Sequence, residues 1–365
     1  MKRIGFLYED IVSVENCKEA IRNASKHKRK RKNVQRILQD LDSYAADLSD
    51  RLIRMDFLTP YTVREIEDGL SGKKRVLHIP NFYPDQCAHH AIMQVLKPII
   101  SKSFYYWSSA NIPKRGIDHA CKGVERATMR DKKHAKYCVK MDVQKFYPSI
   151  PHDKLKARLR HKIKDEKALA LVDMVIDSHS PGLPIGNYTS PWLAEFFLQP
   201  VDNCIKQEHR IRHYVRYADD MTLVDSNKRK LRKALYSIMA KIAGLAMRIK
   251  HDYQLFRIQK KSRERKHRKG RKIDFVGRCF GIGFTTIRKR RALALMRQSR
   301  YIQKLQRKKL PVPFKTASGF LSRCSCLKHT NSRGLKEKYY DTINIKHLKE
   351  VVSNESKRKH LTQCA

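Results

Sequence analysis

The chain contains the stretch Val215-Arg216-Tyr217-Ala218-Asp219-Asp220-Met221-Thr222-Leu223-Val224, in which two adjacent carboxylates separate two apolar runs. Apolar runs on either side of a short polar segment predict two antiparallel strands joined by a tight turn. An Asp-Asp pair is by itself a common turn sequence, because aspartate side chains hydrogen-bond the backbone of turns. The pair therefore becomes a candidate site only if another carboxylate is brought to it.

A third carboxylate follows an apolar strand upstream. In Val139-Lys140-Met141-Asp142-Val143-Gln144-Lys145-Phe146-Tyr147 a single aspartate ends a β-rich run, and an aromatic residue stands five positions after it. Nucleotidyl transfer uses two divalent cations about 3.5 to 4 Å apart, held by two or three carboxylates from neighbouring strands. Magnesium takes few protein carboxylates besides phosphates and water. We therefore expect Asp142, Asp219 and Asp220 to be catalytic and to hold two Mg²⁺ ions, which Mn²⁺ could replace.

The composition indicates a polyanionic partner. The 80 Lys and Arg residues against 35 Asp and Glu give a formal charge of +45, spread along all 365 residues. Nucleic acid neutralises many cations at once through counterion release, whereas peripheral membrane proteins usually concentrate their charge in one segment. No apolar stretch has the length of a membrane span, and the amino terminus lacks the apolar core of a secretory signal. We expect a cytoplasmic protein whose nine cysteines are reduced thiols.

Hydrophobic periodicity predicts a mixed α and β chain. Helices are expected over residues 85–100, 153–178 and 188–204, over most of 8–68, and again from 288 onward with a break at Pro311 and Pro313. Strands are expected at 76–80, 137–141, 255–258 and 273–280. The segment 259–272 is almost without apolar residues and must be a loop or a hairpin tip, and a polar tail is expected from 353.

Between the two carboxylate segments lies Gly182-Leu183-Pro184-Ile185-Gly186-Asn187-Tyr188-Thr189-Ser190. Taken together and in this order, the Asp142 segment, this loop and the Tyr-Ala-Asp-Asp hairpin resemble the successive palm motifs of reverse transcriptases, over about residues 73–285. The resemblance implies an RNA-directed DNA polymerase with an α+β, right-hand (fingers-palm-thumb) fold, an antiparallel palm sheet, a helical N-terminal region and a helical thumb. It divides the chain into a basic helical N-terminal region (1–72), fingers (73–139), palm (140–285), thumb (286–352) and tail (353–365).

The resemblance also implies roles for individual residues. The metal ions would be bound by the three aspartates and the backbone carbonyl of Val143. Tyr147 is similar to the aromatic gate that excludes a 2′-hydroxyl, and Arg75 to the basic residue that clamps the triphosphate, although Lys73 and Lys74 compete for that role. The nucleotide site would further include Ile185, Gly186 and Lys250. Template RNA would be bound by the basic loop residues Lys260, Lys261, Arg263, Arg265, Lys266, Arg268 and Lys269.

Several details resemble the reverse transcriptases of diversity-generating retroelements. Ile185 stands where intron enzymes usually carry Gln, and the loop Lys114-Arg115-Gly116-Ile117-Asp118-His119-Ala120 has a similar counterpart in these enzymes. Two departures, Pro191 after Ser190 and Gln86 after Asp85, point away from this subtype. The subtype implies error-prone copying of a template-repeat RNA, with errors at adenines, for targeted gene diversification (mutagenic retrohoming). It also implies a small basic accessory protein as a partner.

Other readings stay open at this stage. The chain could be another bacterial reverse transcriptase, of retron, intron or phage-defence type. It could be a noncatalytic RNA-binding protein that kept the fold, although the intact Asp142, Asp219 and Asp220 argue against this. An RNA-dependent RNA polymerase also uses an Asp-Asp hairpin, but the bulky Tyr147 favours deoxynucleotides over ribonucleotides.

Overall fold

The computed structural model describes residues 3–67, 74–261, 269–324, 327 and 330–362. The first four helices are α1 (Tyr8–Val12), α2 (Val14–Ala24), α3 (Lys32–Gln39) and α4 (Leu41–Ile53). Helix α2 begins with the Ser13 side chain accepting a hydrogen bond from the Asn16 backbone, which satisfies one of the free N–H groups of its first turn. The predicted helical N-terminal region is therefore confirmed as far as Ile53.

The helical prediction was wrong for the end of that segment. Residues Thr62–Glu67 form strand β1, which pairs antiparallel with β2 (Lys74–Ile79) so that Thr62 faces Ile79 and Glu67 faces Lys74. The β-branched Thr62, Val63 and Ile66 tolerate an extended backbone, and the pairing with a strand farther along the chain decides the outcome. Lys73 lies outside the described residues.

A four-stranded antiparallel sheet forms the centre of the molecule, in the order β4-β5-β3-β6. A kinked turn at Phe82–Gln86 and the helices α5 (Cys87–Ser101) and α6 (Ile117–Glu125) come before this sheet in the chain. The sheet consists of β3 (Tyr137–Asp142), β4 (His213–Tyr217), β5 (Asp220–Asp225) and β6 (Gln254–Arg257). The predicted hairpin around Asp219 and Asp220 is confirmed as β4 and β5.

The central sheet has two covered faces, because side chains alternate along a strand. Val139, Met221 and Leu223 belong to a large core that also contains Leu231 and Ile238 of helix α11 (Lys228–Gly244). On the other face Cys138, Val215 and Val224 belong to a second core, shared with Ala120 and Val124 of α6 and with Phe275 and Phe280. The face of the central sheet that carries Cys138, Val215 and Val224 is called the α6 face below.

Two predicted helices are each divided. The 153–178 segment forms α7 (His152–Arg160) and α8 (Glu166–Asp177), and the 188–204 segment forms α9 (Ser190–Phe197) and α10 (Gln199–Asn203), followed by a π-helical turn at Cys204–Glu208. The break before α8 has a clear cause: the Asp165 side chain accepts hydrogen bonds from Leu7 N, Tyr8 N and Ala168 N. This aspartate caps the new helix and ties it to the N-terminal region.

A second, three-stranded sheet precedes the C-terminal helices in the chain. Strands β7 (Ile273–Phe275), β8 (Arg278–Gly281) and β9 (Phe284–Ile287) pair antiparallel in sequence order. The predicted single strand at 273–280 is a hairpin, because Val276 and Gly277 both take positive φ and form a two-residue turn. The helices α12 (Lys289–Arg307), α13 (Phe314–Cys324), α14 (Arg333–Tyr339) and α15 (Ile345–Thr362) complete the described chain.

The predicted polar tail is helical from 353 to 362, since α15 continues to Thr362. The predicted α+β class, with an antiparallel sheet between helical N-terminal and C-terminal regions, is confirmed. All cysteines that the structure describes are free thiols. Within the described residues, no helix is both long and apolar enough to cross a membrane.

Candidate active site

The hairpin between β4 and β5 presents two carboxylates at its tip. Tyr217 pairs with Asp220, so Ala218 and Asp219 form the two-residue turn. Ala218 has a φ of 53°, a left-handed conformation that residues other than glycine seldom adopt. The Arg216 guanidinium donates a 3.1 Å hydrogen bond from Nη1 to the Ala218 carbonyl. A buried cation therefore supports the strained turn from below.

The third carboxylate comes from the adjacent strand. Asp142 ends β3 and pairs with Asp220 of β5 in the antiparallel register. The even-numbered residues of both strands, Asp142 and Asp220 among them, point to the α6 face, while Met141 and Met221 point into the large core. The structure thus brings together the three aspartates that the sequence analysis selected.

The carboxylates disfavour one another's charge. Burial, followed by the neighbouring Asp142, raises the pKa of Asp219 from 3.8 to about 7. Burial also raises the pKa of Asp220 to about 6, against the opposing effect of Lys140 and with a further contribution from Asp142. Closely spaced carboxylates that are withdrawn from water become protonated unless a cation neutralises them. A cation placed next to these carboxylates would therefore favour their charged forms.

Two lysines supply part of that charge. Lys250 Nζ contacts Asp142 Oδ2, and the Lys250 backbone N–H donates to the Asp142 carbonyl at 2.9 Å. Lys140 Nζ lies 3.4 Å from Asp220 Oδ2 and also donates to the Asp274 carbonyl of β7. Of these two lysines, Lys250 was predicted from the sequence and Lys140 was not. The alternation of β3 could have identified it, because Lys140 lies two residues before Asp142 and shares its face.

The carboxylates fit a pair of oxygen-coordinated metal ions. The Oδ1 atoms of Asp142 and Asp220 are both buried and have no hydrogen-bond partner, and an unsatisfied buried carboxylate oxygen is costly without a cation or a donor. Val143, the proposed carbonyl ligand, follows Asp142 and forms an isolated bridge to Ile249. A different group, Cys204, Glu208 and His209, brings its ligand atoms within 4.8 Å of one another, but its thiol and imidazole suit softer metals than magnesium.

Tyr147 lies near Asp219 of the β4–β5 hairpin, and its backbone contacts the 182–190 loop. Its side chain is half-buried against the large core, and its pKa is raised by burial and then by the charges of Glu195 and Asp219. Its carbonyl accepts a 3.0 Å hydrogen bond from Leu183 N. A Cβ on Gly182, whose φ is 65°, would lie 2.4 Å from that carbonyl oxygen. The backbone of Tyr147 is therefore fixed against Gly182 and Leu183, and the charge of Asp219 is close enough to act on the Tyr147 side chain.

The loop residues Ile185 and Gly186 contact the β1–β2 hairpin. The His78 backbone N–H donates to the Ile185 carbonyl at 2.9 Å. A Cβ on Gly186 would lie 2.0 Å from the His78 carbonyl oxygen, so only glycine allows this approach. Arg75 is three residues away on the same strand, exposed, and opposite Ile66. Among the described contacts, none joins Arg75 to the three aspartates.

The structure describes part of the predicted basic loop. Lys260, Lys261 and Lys269 belong to the described residues, whereas Arg263, Arg265, Lys266 and Arg268 lie outside them. Lys261 N donates to the Ile282 carbonyl at 3.1 Å, which fixes the start of the loop to the second sheet. Lys260 and Lys261 line a cavity of about 300 Å³ together with Phe284 and Asn331. This cavity places the two lysines beside strand β9 and Asn331, and none of the three aspartates belongs to its lining.

The sequence of this chain is similar to known proteins. The sequence model of the family described as "Reverse transcriptase (RNA-dependent DNA polymerase)" matches residues 66–267, more than half of the 365-residue chain. An "uncharacterized 91 kDa protein in cob intron" of Schizosaccharomyces pombe is 28% identical over 180 residues, which cover 46% of this chain and 22% of that protein. The "Retron Ec73 reverse transcriptase" of Escherichia coli is 31% identical over 113 residues, which cover 27% of this chain and 35% of that protein.

Two telomerases are among the solved structures to which this chain is similar at low identity. The apo telomerase of Candida tropicalis, truncated from its C-terminal domain, superimposes with a TM-score of 0.47 at 14% identity, over 68% of this chain and 60% of that one. The telomerase of Candida albicans in complex with a TWJ fragment of telomeric RNA gives 0.45 at 12% identity, over 90% and 64%.

Proposed function

We propose, from the premise that this chain belongs to the reverse transcriptase family, that it is an RNA-directed DNA polymerase whose catalytic residues are Asp142, Asp219 and Asp220. One observation carries the proposal. Inside the segment matched by the family, adjacent strands place three carboxylates together, and two of them have buried, unpartnered oxygens. Such a cluster is unfavourable in a folded protein unless it serves a cation.

The chemistry would follow from the placement of the protein groups. Asp142, Asp219, Asp220 and the Val143 carbonyl would hold two Mg²⁺ ions, which when bound activate the primer 3′-hydroxyl and neutralise the departing pyrophosphate. Lys250 and Lys140 balance carboxylate charge at the same centre. Arg75 would bind the triphosphate, since a guanidinium pairs bidentately with phosphate oxygens. Tyr147, Ile185 and Gly186 would form the wall of the nucleotide site.

The activity is tested by primer extension on a defined RNA template, with deoxynucleotides and ribonucleotides offered in separate reactions. A reverse transcriptase extends the primer with deoxynucleotides in the presence of Mg²⁺. Preferential extension with ribonucleotides would show an RNA-dependent RNA polymerase. Template binding without extension by either substrate would contradict the proposed activity and favour a noncatalytic RNA-binding protein.

Tyr147→Ala should admit ribonucleotides. The ring lies near Asp219, and its removal opens space beside the sugar without removing a carboxylate. We expect deoxynucleotide addition to persist at a lower rate, and the ratio of deoxynucleotide to ribonucleotide kcat/KM to fall at least about tenfold, which corresponds to about 1.4 kcal/mol of lost discrimination. Tyr147→Phe is the matched control, since it keeps the ring and should keep the discrimination. An unchanged ratio of deoxynucleotide to ribonucleotide kcat/KM in Tyr147→Ala would show that Tyr147 packs in the core and does not select the sugar.

We further propose that the enzyme belongs to the diversity-generating type and copies a template-repeat RNA with errors at adenines. Support comes from Ile185 and from the resemblance of the 114–120 loop. The chain spans 22% and 35% of the two curated relatives described above, so a specialised role rests on these residues alone. A retron-like or intron-like role is the second candidate, favoured by the origin of both relatives. A small basic accessory protein and a cytoplasmic location belong to the first proposal.

Ile185→Gln should lower errors at template adenines several-fold without eliminating them. The backbone of Ile185 is held by His78, so the substitution changes the side chain while the loop stays attached to β2. A glutamine can form polar contacts near the nascent base pair, and a net hydrogen bond of about 0.5 to 1.5 kcal/mol changes misincorporation by about twofold to tenfold. The error spectra of parent, Ile185→Gln and the apolar control Ile185→Leu on one RNA decide this. Identical error rates at template adenines in the parent and Ile185→Gln would show that the Ile185 side chain plays no part in fidelity.

A further inference from the structure

The π-helical turn that follows α10 carries three metal-ligand side chains that the proposed polymerase chemistry does not use. The turn spans Cys204–Glu208, and His209 comes directly after it. The Cys204 Sγ atom, a Glu208 carboxylate oxygen and a His209 ring nitrogen lie within 4.8 Å of one another. Thiolate, imidazole and carboxylate are the ligand types that bind zinc in proteins.

The π turn explains why the three side chains share one face. In an α-helix of about 3.6 residues per turn, residue 209 would point about 140° away from residue 204. Here the His209 backbone N–H donates to the Cys204 carbonyl at 3.0 Å, five residues back. This wider turn brings His209 over Cys204 and keeps Glu208 beside them, and π turns are frequent at functional sites.

The backbone after the turn is folded back onto it. The Ile211 backbone N–H donates to the carbonyl of the buried Ile205 at 3.1 Å. Lys206 Nζ donates to the Ile211 carbonyl at 2.7 Å. A ligand set on a backbone that is already fixed loses less conformational freedom when it binds. The three side chains are therefore partly arranged for binding in advance.

The distances suit one small ion. Zinc–sulfur and zinc–nitrogen bonds of about 2.3 and 2.0 Å at a tetrahedral angle place the two ligand atoms about 3.5 Å apart. The limit of 4.8 Å exceeds that separation by about 1.3 Å. Glu208 is exposed and His209 is partly exposed, so both side chains can rotate toward the buried Cys204. Three protein ligands leave the fourth position to water.

The contacts that compete with a metal ion are weak. Lys241 Nζ of α11 lies 3.6 Å from Glu208 Oε1, and an exposed ion pair of this kind contributes little to stability. The Cys204 thiol hydrogen-bonds the Glu208 side chain, and an ion bound to both would replace this bond. Zinc binding releases the thiol proton to solvent. The thiolate and the carboxylate then balance the two charges of the ion.

We propose that Cys204, Glu208 and His209 form a zinc site that fixes the link between α10 and β4. This site is separate from the proposed Mg²⁺ centre, and the proposal goes beyond the polymerase function. Its position in the fold suits a structural role. Asp202, two residues before the turn, holds Arg216 of β4, and Arg216 supports the catalytic hairpin.

Cobalt provides a direct test on the full chain. The protein is reduced, freed of metal with EDTA and titrated with Co²⁺ alone. A thiolate ligand gives Co²⁺ a charge-transfer absorption band that carboxylates do not give, so binding at Asp142 and Asp219 does not contribute. We expect one Co²⁺ per chain with this band, and Zn²⁺ should displace it.

The exposed ligands test the site without disturbing the core. Glu208→Gln and His209→Gln should each weaken Zn²⁺ binding at least about tenfold, since even the loss of an outer contact to a metal ligand costs that much. His161→Gln and Glu166→Gln are the matched controls, because both side chains are exposed and lie outside the three-ligand group. Zinc affinity is measured by competition with a chromophoric chelator.

The buried ligand is tested by spectroscopy. Cys204→Ser should abolish the cobalt band, whereas Cys121→Ser, which changes an equally buried thiol, should keep it. A band that survives in Cys204→Ser would overturn the site. Equal zinc affinities in His209→Gln and His161→Gln would do the same, and this second comparison remains decisive if Cys204→Ser does not fold.

Amide hydrogen exchange tests the structural role. Saturating Zn²⁺ should slow exchange in the peptide that contains residues 204–211 of the parent several-fold, because opening of this segment would then require release of the ion. The same peptide of His209→Gln should exchange at its zinc-free rate. Unchanged exchange in the zinc-bound parent would show that the ion does not fix the link between α10 and β4.

Discussion

Asp219→Asn and Asp142→Asn are each expected to lower the rate of cDNA synthesis with Mg²⁺ by about a thousandfold. Each change removes a charged ligand from the proposed metal pair, and a bound metal supplies several kcal/mol of charge stabilisation in the transition state. A loss of about 4 kcal/mol corresponds to about a thousandfold in rate. Single-turnover primer extension with saturating primer and template measures the effect on the chemical step.

Binding and position provide the controls. RNA affinity should stay nearly unchanged in both variants, since neither aspartate belongs to a cationic surface. Asp220→Asn should reduce the rate less, because the second carboxylate of the hairpin is expected to lie farther from both ions. Full cDNA synthesis by Asp142→Asn or Asp219→Asn would overturn the assignment of the site.

Asp219→Asn should also change the pH dependence of the free energy of unfolding in metal-free buffer. The folded-state pKa of Asp219 is raised from 3.8 to about 7 by burial and then by Asp142, so the folded protein binds more protons than the unfolded chain between these values. The contribution of Asp219 to the free energy of unfolding must then fall as the pH rises from about 4 to about 7. Asp219→Asn lacks this proton and should flatten that fall, as measured by urea unfolding with EDTA. An identical pH profile would show that Asp219 is not held in a desolvated, repulsive site.

Secondary structure was predicted correctly where the local sequence pattern favoured the same structure as the tertiary contacts of the segment. The β4–β5 hairpin was predictable because two apolar runs surround a polar turn, and Asp142 because it ends a β-rich run. The N-terminal segment failed at Thr62–Glu67, where an antiparallel partner that follows in the chain imposes a strand. The prediction of one continuous helix over 153–178 was wrong because Asp165 accepts hydrogen bonds from the distant backbone of Leu7 and Tyr8. Both errors come from contacts that a local window does not contain.

The support of the active site was less predictable than its ligands. Arg216 lies two residues before the Ala218-Asp219 turn in sequence and could be taken for one more RNA-binding cation in a chain of charge +45. The structure instead buries it to 1% exposure. Its partners Asp202 and Glu195 lie on α10 and α9 and have no sequence spacing that relates them to the hairpin. Alternation along β4 places Arg216 on the face of the large core, opposite the α6 face. It does not identify which carboxylates on that face pair with Arg216.

Arg216 is held by a buried network whose geometry is suited to a guanidinium. Nε and Nη2 donate to the two Asp202 oxygens at 2.8 and 2.6 Å, and Nη1 lies 2.9 Å from Glu195 Oε2. Ser108 Oγ donates to the same Glu195 oxygen at 2.5 Å, and Tyr214 donates to Asp202 at 2.7 Å. Burial raises the pKa of Glu195, while Arg216 opposes that rise. The cation therefore compensates two carboxylates that have no access to water.

Arg216→Leu is expected to destabilise the fold by about 3 to 5 kcal/mol, because it leaves Asp202 and Glu195 buried without their cation. It should also lower polymerase activity beyond the loss of folded protein, since the Ala218 carbonyl loses its 3.1 Å hydrogen bond and the left-handed turn that carries Asp219 loses its support. Arg216→Lys keeps the charge but not the two parallel hydrogen bonds, so its loss should be smaller. The triple variant Arg216→Leu/Asp202→Leu/Glu195→Met removes both orphaned charges and should recover much of the stability without recovering the activity. Urea unfolding and primer extension on the four proteins measure both quantities, and full activity in the triple variant would show that the network stabilises the core and has no part in positioning Asp219.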